Sequence, residues 1–351
     1  MTFEDLAQKK ASWLDGTGRQ PALVVSSRVR LARNLSTFPF PQRASEHHHR
    51  EIIRSVVRAC RGDLASRMSF FETSQLSDLQ QQFLVERHLI SPALTKGQVG
   101  RGVLVDPNER LSVMVNEEDH FRFQVILPGF QAPEAWQSIL RLERELSTQM
   151  TYAFSNRWGF LTACPTNTGT GLRASILIHL PGLVLTREID GVVRGVTQMG
   201  FVVRGLYGEG TDVAGNLFQV SNQMTLGRSE ESLLEILENV IGQLIACEEN
   251  ARETLFRDAR TKMEDKIWRA QGILKYARLL TSQEFMNLSS AVRLGVGVGL
   301  IQDVEVRTLN EMMVETQPAH LQHLVKRRLE AQERDTIRAE MVRLRMNTSN
   351  D

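Results

Sequence analysis

A run of acidic side chains between two apolar segments is the most unusual local sequence in this chain. The segment Val115-Asn-Glu-Glu-Asp-His-Phe-Arg122 places three carboxylates next to one another. Adjacent carboxylates repel each other and resist burial, so they need solvent, a proton or a cation. The segment is therefore either a solvated loop between two strands or a carboxylate site that binds a cation, a metal or a proton.

Arginine lies beside small or acidic residues near the ends of four predicted strands, in segments that contain Arg28, Arg122, Arg173 and Arg204. The first segment also contains Arg30, two residues after Arg28, so the two side chains point to the same side of an extended chain. A guanidinium group binds phosphate oxygens bidentately and keeps its charge. One such segment is uninformative, but four of them favour a shared clamp for a polyphosphate.

Lysine is scarce, and this excludes two common ways of binding nucleotides. No lysine occurs between Lys96 and Lys262. A P-loop needs the GxxxxGK[ST] sequence and an ordinary protein kinase needs a strand lysine, so that segment can form neither. The glycine-rich loop 164–171 also lacks the spacing of a P-loop or a Rossmann fingerprint. Phosphate binding there must use arginine, although a GC-rich coding bias would also explain the composition.

The composition indicates a two-domain protein of the cytoplasm. The chain has 351 residues, of which 42% are hydrophobic, and a net charge of +1. Such a balanced charge gives no electrostatic case for binding nucleic acid. We see no leader peptide and no apolar run of the roughly 20 residues that a membrane span needs. Three scattered cysteines, Cys60, Cys164 and Cys247, predict reduced thiols rather than disulfides.

Hydrophobic periodicity predicts an α+β region followed by an all-α region. Strands are predicted over residues 22–27, 111–115, 121–127, 159–163, 175–180, 201–206 and 217–225. Helices are predicted after the capping residue Ser45, over 76–87, from Pro133 and after Ser229. We expect a catalytic domain over residues 1–250 and a helical domain over 251–351. The run His47–His49 is interpreted as a solvated helix start, because three adjacent side chains on a helix point apart.

Five motifs resemble those of the phosphagen (guanidino) kinase family. They are SSRVRLARNL, LVERHLISP, VNEEDHFRFQ, CPTNTGTGLRAS and RGLYGEG, and they occur in the family's order between about residues 22 and 250. The segment that starts RGLYGEGTDVAGN looks more like the branch that phosphorylates arginine in proteins. The small helical domain of the metabolite kinases has no room before residue 24. Arg334–Ala339 also matches the RDxxRA phosphoarginine-pocket motif of that branch.

The resemblance implies an antiparallel sheet flanked by helices, an all-α C-terminal domain, and ATP with Mg²⁺ as cofactors. Arg28, Arg30, Arg122, Arg173 and Arg204 would bind the ATP phosphates. Glu118 and Glu209 match the family's acidic pair, which binds and deprotonates the acceptor guanidinium, and Cys164 matches its reactive cysteine. No metal bound by protein ligands is expected. The full set that matches nucleotide-binding positions is Ser26, Ser27, Arg28, Val29, Arg30, His88, Arg122, Arg173, Ala174, Ser175, Ile176, Leu177, Arg204, Gly205, Leu206, Tyr207, Gly208 and Glu209.

The resemblance also implies partners and a second site. Arg334, Asp335, Arg338 and Ala339 would form the phosphoarginine pocket, although charged residues at helical spacing are usually a solvated helix face. Expected partners are proteins with accessible arginines, a Clp chaperone-protease, an activator protein and a second copy of the chain. Two other functions remain open, which are a kinase for free arginine or another small guanidino compound, and a non-catalytic phosphoarginine-binding adaptor. The missing N-terminal domain argues against the first, and the intact acidic and basic motifs argue against the second.

Overall fold

A computed structural model describes residues 1–60, 67–96, 99–205 and 214–348 of the chain. The strands are β1 Val24–Arg33, β2 Ser69–Glu72, β3 Gly102–Val105, β4 Leu111–Val115, β5 Phe121–Pro128, β6 Phe154–Ser155, β7 Gly159–Phe160, β8 Leu172–His179, β9 Phe201–Gly205 and β10 Leu217–Asn222. The helices are α1 Phe3–Ala7, α2 Glu46–Ala59, α3 Asp78–Glu86, α4 Ala132–Ser147, α5 Pro181–Leu185, α6 Ile189–Gln198, α7 Glu230–Asp258, α8 Arg260–Tyr276, α9 Ser282–Gly297, α10 Val306–Glu315, α11 Pro318–Leu324 and α12 Ala331–Asn347. None of the helices in these ranges is long and apolar enough to cross a membrane.

Eight strands form one sheet in the order β2-β3-β4-β5-β1-β8-β10-β9. All seven neighbouring pairs are antiparallel. The first strand of the chain, β1, lies in the middle, where Arg30 is opposite Gln124 of β5 and Arg173 of β8. This register brings segments that are about 90 and 140 residues apart in sequence into direct contact.

One face of the sheet is apolar along its width, and the other carries the arginines beside two smaller apolar clusters. Alternate residues of β1, such as Val29 and Leu31, are fully buried on the apolar face. The helices α4 and α7 pack against that face and complete the larger hydrophobic core. Side chains of a strand alternate between faces. The residues between these apolar positions, including Arg28 and Arg30, therefore lie on the opposite face.

The helices after α7 form a second hydrophobic core with the N-terminal segment. Trp13 and Leu14 pack there with residues of α8, α9, α10 and α12. The helix α7 has 29 residues and continues without a break across the predicted domain boundary at residue 250. Ser229 caps it by accepting a hydrogen bond from the Ser232 amide, as the sequence predicts. The α+β arrangement followed by helices is confirmed.

Three predicted strands have different bounds in the structure. The sequence predicts that β1 ends at residue 27, but it continues to Arg33 because its arginines alternate with buried apolar residues. The predicted strand over 159–163 is only the two-residue β7, which forms a hairpin with β6. The strand predicted over 175–180 begins three residues earlier, so Arg173 lies within the sheet.

Candidate functional site

Four of the five predicted phosphate-binding arginines line one cavity on the polar face of the sheet. The cavity has a volume of about 380 Å³, and Glu118 and Cys164 line it as well. The arginines are Arg30, Arg122, Arg173 and Arg204. The sheet order explains the convergence, because β5, β1 and β8 are adjacent and β9 follows after β10. The antiparallel register places all four side chains on the same face.

Arg28 lies beside this cavity in a smaller cleft with His88 and Trp13. Its Nε donates a 2.6 Å hydrogen bond to Oε1 of Gln124. The Gln124 amide nitrogen in turn donates to the carbonyl oxygen of His88 at 2.7 Å. Gln124 thus orients Arg28 and the His88 segment together. Sequence analysis missed this residue, although its spacing of two from Arg122 on a strand places it on the same face.

The arginine cluster is electrostatically unfavourable without an anion. Burial lowers the pKa of Arg28 to about 10, with further lowering from Arg122 and Arg173. Burial and then the neighbouring arginines hold the pKa of Arg30 well below its ordinary value. Glu117 opposes both shifts. A cluster of guanidinium groups attracts a ligand with several negative charges.

His88 is a neutral imidazole in this environment. Burial, followed by repulsion from Arg28 and Arg30, lowers the pKa of His88 to about 3. Its ring packs edge-on against Trp13 with centroids 5.6 Å apart. The neutral ring can contact a bound nucleotide by packing or hydrogen bonding, but it cannot contribute a positive charge.

The acidic segment forms the tight connection between β4 and β5, and its three carboxylates have different environments. The carboxylate of Glu117 is buried and lies 2.7 Å from Nη1 of Arg122. The Glu118 side chain is 39% exposed and accepts from Nη2 of Arg122 at 2.9 Å. Asp119 is buried. The simple solvated loop is therefore wrong, and Glu118 is the one of the three that faces the cavity.

Asp119 joins the acidic segment to the Cys164 loop. Its Oδ1 accepts hydrogen bonds from Nδ2 of Asn34 at 2.6 Å and from the amide of Ala163 at 2.7 Å. Burial raises the pKa of this carboxyl, and these two hydrogen bonds oppose the shift. Asp119 is adjacent in sequence to Glu118, and Ala163 is adjacent to Cys164. The bond to Ala163 therefore fixes the position of one candidate catalytic residue relative to the other.

The Cys164 loop is held against the cavity by threonine hydroxyls. The Cys164 sulfur lies 3.0 Å from Oγ1 of Thr166. Thr225 donates its hydroxyl to the carbonyl oxygens of Thr166 and Thr168 at 2.9 and 2.8 Å. Both Thr166 and Thr225 line the cavity. Sequence analysis did not single them out, because hydroxyl-rich loops are common and the contact spans almost 60 residues.

The other predicted nucleotide contacts lie in different places. Ser26, Ser175 and Leu177 line the Arg28 cleft. The side chains of Val29, Ala174 and Ile176 are buried in the apolar core, and Ser27 donates to the Gly129 carbonyl. These four can reach a ligand only through their backbone. Gly205 ends β9. The predicted residues Leu206, Tyr207, Gly208 and Glu209 lie outside the described residues.

The predicted phosphoarginine pocket lies on the first turns of α12. The side chain of Arg338 is only 2% exposed. It donates to the carbonyl oxygens of Thr316 and Leu280 at 3.0 and 2.8 Å, and to Asp335 at 2.6 Å. Arg334 donates to the Leu329 carbonyl at 2.7 Å. Ala339 is fully buried. Arg338 thus connects three segments of the helical region, and its use as a ligand pocket stays a prediction.

Metal-binding side chains do not cluster in the described ranges, where no group of three His, Cys, Asp or Glu side chains could hold an ion. In the predicted histidine run, His48 closes the N-terminal cap of α2 by pairing with Ser45. His49 is buried, and its carbonyl accepts from Asn116 at 3.0 Å. The interpretation of a wholly solvated helix start is therefore wrong for His49.

An arginine-lined cavity on an antiparallel sheet, with a carboxylate at its edge, is suited to phosphoryl transfer. The family model of the ATP:guanido phosphotransferase C-terminal catalytic domain matches residues 50–251, which is more than half of the chain. A second model, the protein-arginine kinase McsB C-terminal domain, matches residues 260–351. The chain therefore belongs to the ATP:guanido phosphotransferase family.

Curated relatives place the chain in one branch of that family. It is 42% identical to the protein-arginine kinase of Halothermothrix orenii, over 99% of this chain and 100% of the relative. It is 44% identical to that of Pelotomaculum thermopropionicum, over 98% of both chains. Identity to the Bacillus subtilis protein-arginine kinase is 42%, over 96% of this chain and 93% of the relative. These matches cover the catalytic sheet and the C-terminal helices together.

Solved structures confirm the fold. The duplicated taurocyamine kinase from Schistosoma mansoni, with bound transition state analogue components, has a TM-score of 0.60 and 26% identity. The match covers 71% of this chain but only 36% of that one. Lombricine kinase also has a TM-score of 0.60, with 23% identity over 69% of this chain and 70% of that chain. The second likeness shows the fold alone.

Proposed function

We propose that this protein transfers the γ-phosphoryl group of ATP to the guanidinium groups of arginine residues in proteins. The observation that carries the proposal is the cavity in which four arginines meet Glu118. Such a cavity binds a polyanion on one side and a cation on the other. The identity to protein-arginine kinases across nearly the whole chain supports a protein acceptor.

The arginines would hold the nucleotide and stabilise the transferred group. Phosphoryl transfer passes through a loose transition state, so catalysis consists mainly of positioning and charge stabilisation. Arg30 and Arg173 are directly opposite each other on adjacent strands, which gives a rigid base for the phosphates. Arg28 lies one pleat further along β1 and is fixed by Gln124. No induced rearrangement of the sheet is needed to form this base.

Glu118 would bind the acceptor and receive its proton. The guanidinium has a pKa above about 12, so it is a poor nucleophile until it loses a proton. A partly exposed carboxylate at the cavity edge can accept from the planar group and take that proton during attack. The nitrogen–phosphorus bond forms, the bond between the γ-phosphorus and the bridging oxygen breaks, and ADP leaves. We assign Glu209 to the same task by its motif.

Arg122 connects the two halves of the reaction. Its two terminal nitrogens are held by Glu117 and Glu118, so the guanidinium lies between the phosphate side and the acceptor side of the cavity. When Mg-ATP enters, the phosphates can compete with Glu118 for this arginine. Glu118 is then released to bind the acceptor. Magnesium would arrive with the nucleotide and would supply charge neutralisation, consistent with a site built from arginine rather than from metal-binding carboxylates.

The protein acceptor is tested by comparing two substrates. The purified chain is incubated with Mg-ATP and either a chemically unfolded protein or free arginine. Products are analysed by mass spectrometry under non-acidic conditions, because the phosphorus–nitrogen bond is acid-labile. We expect phosphoarginine on the protein and little turnover of free arginine. Efficient turnover of free arginine with none on protein would refute the proposal, and no turnover of either would favour the adaptor.

Further partners follow from the family resemblance and remain proposals. We propose that the modified proteins pass to a Clp chaperone-protease, that an activator protein regulates the kinase, and that the chain works as a homodimer in the cytoplasm. We also keep the phosphoarginine pocket at Arg334, Asp335 and Arg338 as a proposal. Product binding there must add to or replace the bonds that the Arg338 guanidinium already makes, since its Nε and Nη1 donate to two backbone carbonyls and to Asp335.

A further inference from the structure

His88 adopts an unfavourable backbone conformation at the point where α3 ends. Its φ is +59°, in the left-handed region that glycine occupies easily and that is uncommon for other residues. The His88 amide donates to the Val85 carbonyl at 2.9 Å. The next amide, of Leu89, donates to the Leu84 carbonyl at 3.0 Å. These bonds form a Schellman motif, whose left-handed position is usually glycine, so a histidine there needs support from the surrounding structure.

The two residues just before His88 are held by one imidazole of the helical region, that of His320 on α11. Its Nδ1 lies 2.8 Å from Oε2 of Glu86. Nε of Arg87 donates to its Nε2 at 3.2 Å. Because Nε2 accepts, Nδ1 carries the proton and donates to Glu86. His320 therefore bridges the two side chains that precede His88 in sequence.

This bridge is buried between α3 and α11. Burial, followed by repulsion from Arg87, holds the pKa of His320 well below its ordinary value, so the ring is neutral, as its two hydrogen bonds require. The ring also stacks on Phe83 of α3, with the centroids 3.9 Å apart. Glu86 accepts in addition from the amides of Ala319 and His320 at 2.8 and 3.1 Å. These N-terminal amides of α11 have no acceptor within their own helix, so Glu86 joins the end of α3 to the start of α11.

His88 makes two contributions to the arginine site. Its carbonyl oxygen accepts from Gln124, and Gln124 in turn fixes Arg28. Its ring lines the Arg28 cleft beside Trp13. A rotation about the N–Cα bond of His88 moves the ring and the carbonyl together relative to α3. Both contributions therefore depend on the left-handed conformation that ends this helix.

We infer that His320 is a positioning residue for nucleotide binding, because it holds the end of α3 in the geometry that presents His88 to the Arg28 cleft. The inference rests on the proposed function for the identity of the ligand, Mg-ATP. His320 acts through Glu86 and Arg87 rather than by contact with the nucleotide. The helical region thus helps to form the nucleotide cleft, in addition to the phosphoarginine pocket proposed above.

Calorimetric titration of Mg-ATP into the full-length chain tests this inference without any acceptor. His320→Leu removes both hydrogen bonds of the ring and should weaken Mg-ATP binding about tenfold, the shift expected when one residue leaves the left-handed region. Its turnover number at saturating ATP should stay within about twofold of the wild type, because Glu118 and the acceptor side are unchanged. His320→Gln keeps a donor and an acceptor, so it should restore most of the affinity. Glu86→Gln is a milder change in the same bridge and should weaken Mg-ATP binding in the same direction.

Two comparisons separate positioning from damage to the fold, with melting temperatures measured for every variant. His323 lies one turn further along α11, with its ring 5.2 Å from that of Phe83, and His323→Leu should leave Mg-ATP affinity unchanged. Asparagine tolerates the left-handed region, so His88→Asn should no longer need the bridge. Adding His320→Leu to His88→Asn should then weaken binding by less than about threefold more.

Four results would overturn the inference. The first is unchanged Mg-ATP affinity in folded His320→Leu and Glu86→Gln proteins. The second is an equal loss of affinity in His323→Leu, and the third is a full further loss in the His88→Asn background. The fourth is a wild type that does not bind Mg-ATP, which would refute the proposed function as well.

Discussion

Glu118 and Glu117 are adjacent carboxylates with different environments, and a pair of isosteric substitutions can test the separate roles proposed for them. Glu118→Gln keeps the size of the side chain and removes the charge that would bind the acceptor and take its proton. The Glu118 side chain is 39% exposed and the Glu117 side chain only 5%. The first should therefore act on the acceptor, and the second should act through Arg122.

The expected loss in Glu118→Gln follows from the role of a general base. Such a group contributes about 100- to 10,000-fold to the rate, which is about 3 to 5 kcal/mol at 1.36 kcal/mol per tenfold. Solvent screens the charge of a group this exposed, so we expect the lower end, about 100-fold in turnover. ATP affinity should change little, because the five arginines remain in place. Glu117→Gln should instead weaken ATP binding about tenfold, since Arg122 loses its buried partner.

The assay is single-turnover phosphorylation of an unfolded protein, with phosphoarginine quantified by phosphorus NMR at neutral pH. Calorimetry gives the ATP affinity of each variant. Melting temperatures confirm that both variants are folded. A Glu118→Gln enzyme that keeps a third of the wild-type turnover would remove this residue from the chemistry. Identical effects of the two substitutions on turnover and ATP affinity would contradict the division of roles.

The proposed site and the residues that hold the fold around it give four further predictions. Arg204→Lys should restore little of the activity lost in Arg204→Ala, because a point charge does not replace a bidentate fork, and calorimetry with ATP checks this. Asp119→Ala should lower the melting temperature and reduce the turnover number about tenfold, because the Asp119 carboxylate holds the Cys164 loop in place. An unchanged turnover number would contradict this. Arg338→Ala should lower the free energy of unfolding by about 3 kcal/mol in urea denaturation, because two buried backbone carbonyls lose their hydrogen-bond donor. Titration of phosphoarginine into the same variant tests the pocket. Burial lowers the pKa of His120 to about 4, so the folded state binds fewer protons than the unfolded state between pH 4 and 6.5. Unfolding free energy should therefore fall as the pH drops through that window, and a flat profile there would argue against a buried neutral His120.

The side of the sheet that carries the site was predictable from local sequence. Arg28 and Arg30 alternate with Val29 and Leu31, and this pattern alone places the arginines opposite the core. The segment of acids that the sequence singles out lies at the cavity, which Glu118 lines. Its internal division was not predictable, because Asp119 is distinguished from Glu118 only by contacts to Asn34 and Ala163 that lie 85 and 44 residues away.

The order of the strands could not be predicted either. Nothing local indicates that β1 lies between β5 and β8, because pairing over such distances depends on the whole set of competing registers. The family resemblance implied an antiparallel sheet flanked by helices but no strand order. The role of Gln124 was equally unpredictable, because it depends on a contact with Arg28 on the adjacent strand. The motif that contains Glu209 remains a prediction from sequence, because it lies outside the described residues.

An enzyme that phosphorylates arginine and itself contains many arginines is one of its own potential substrates. Arg30, Arg122 and Arg173 would be protected from such modification by their positions within strands. An arginine in the middle of an eight-stranded sheet cannot be presented to the cavity of another copy without opening the sheet, while a surface residue such as Arg157 can be. Self-modification would thereby be directed to the periphery, and the arginines proposed to bind ATP would be spared by the same fold that aligns them.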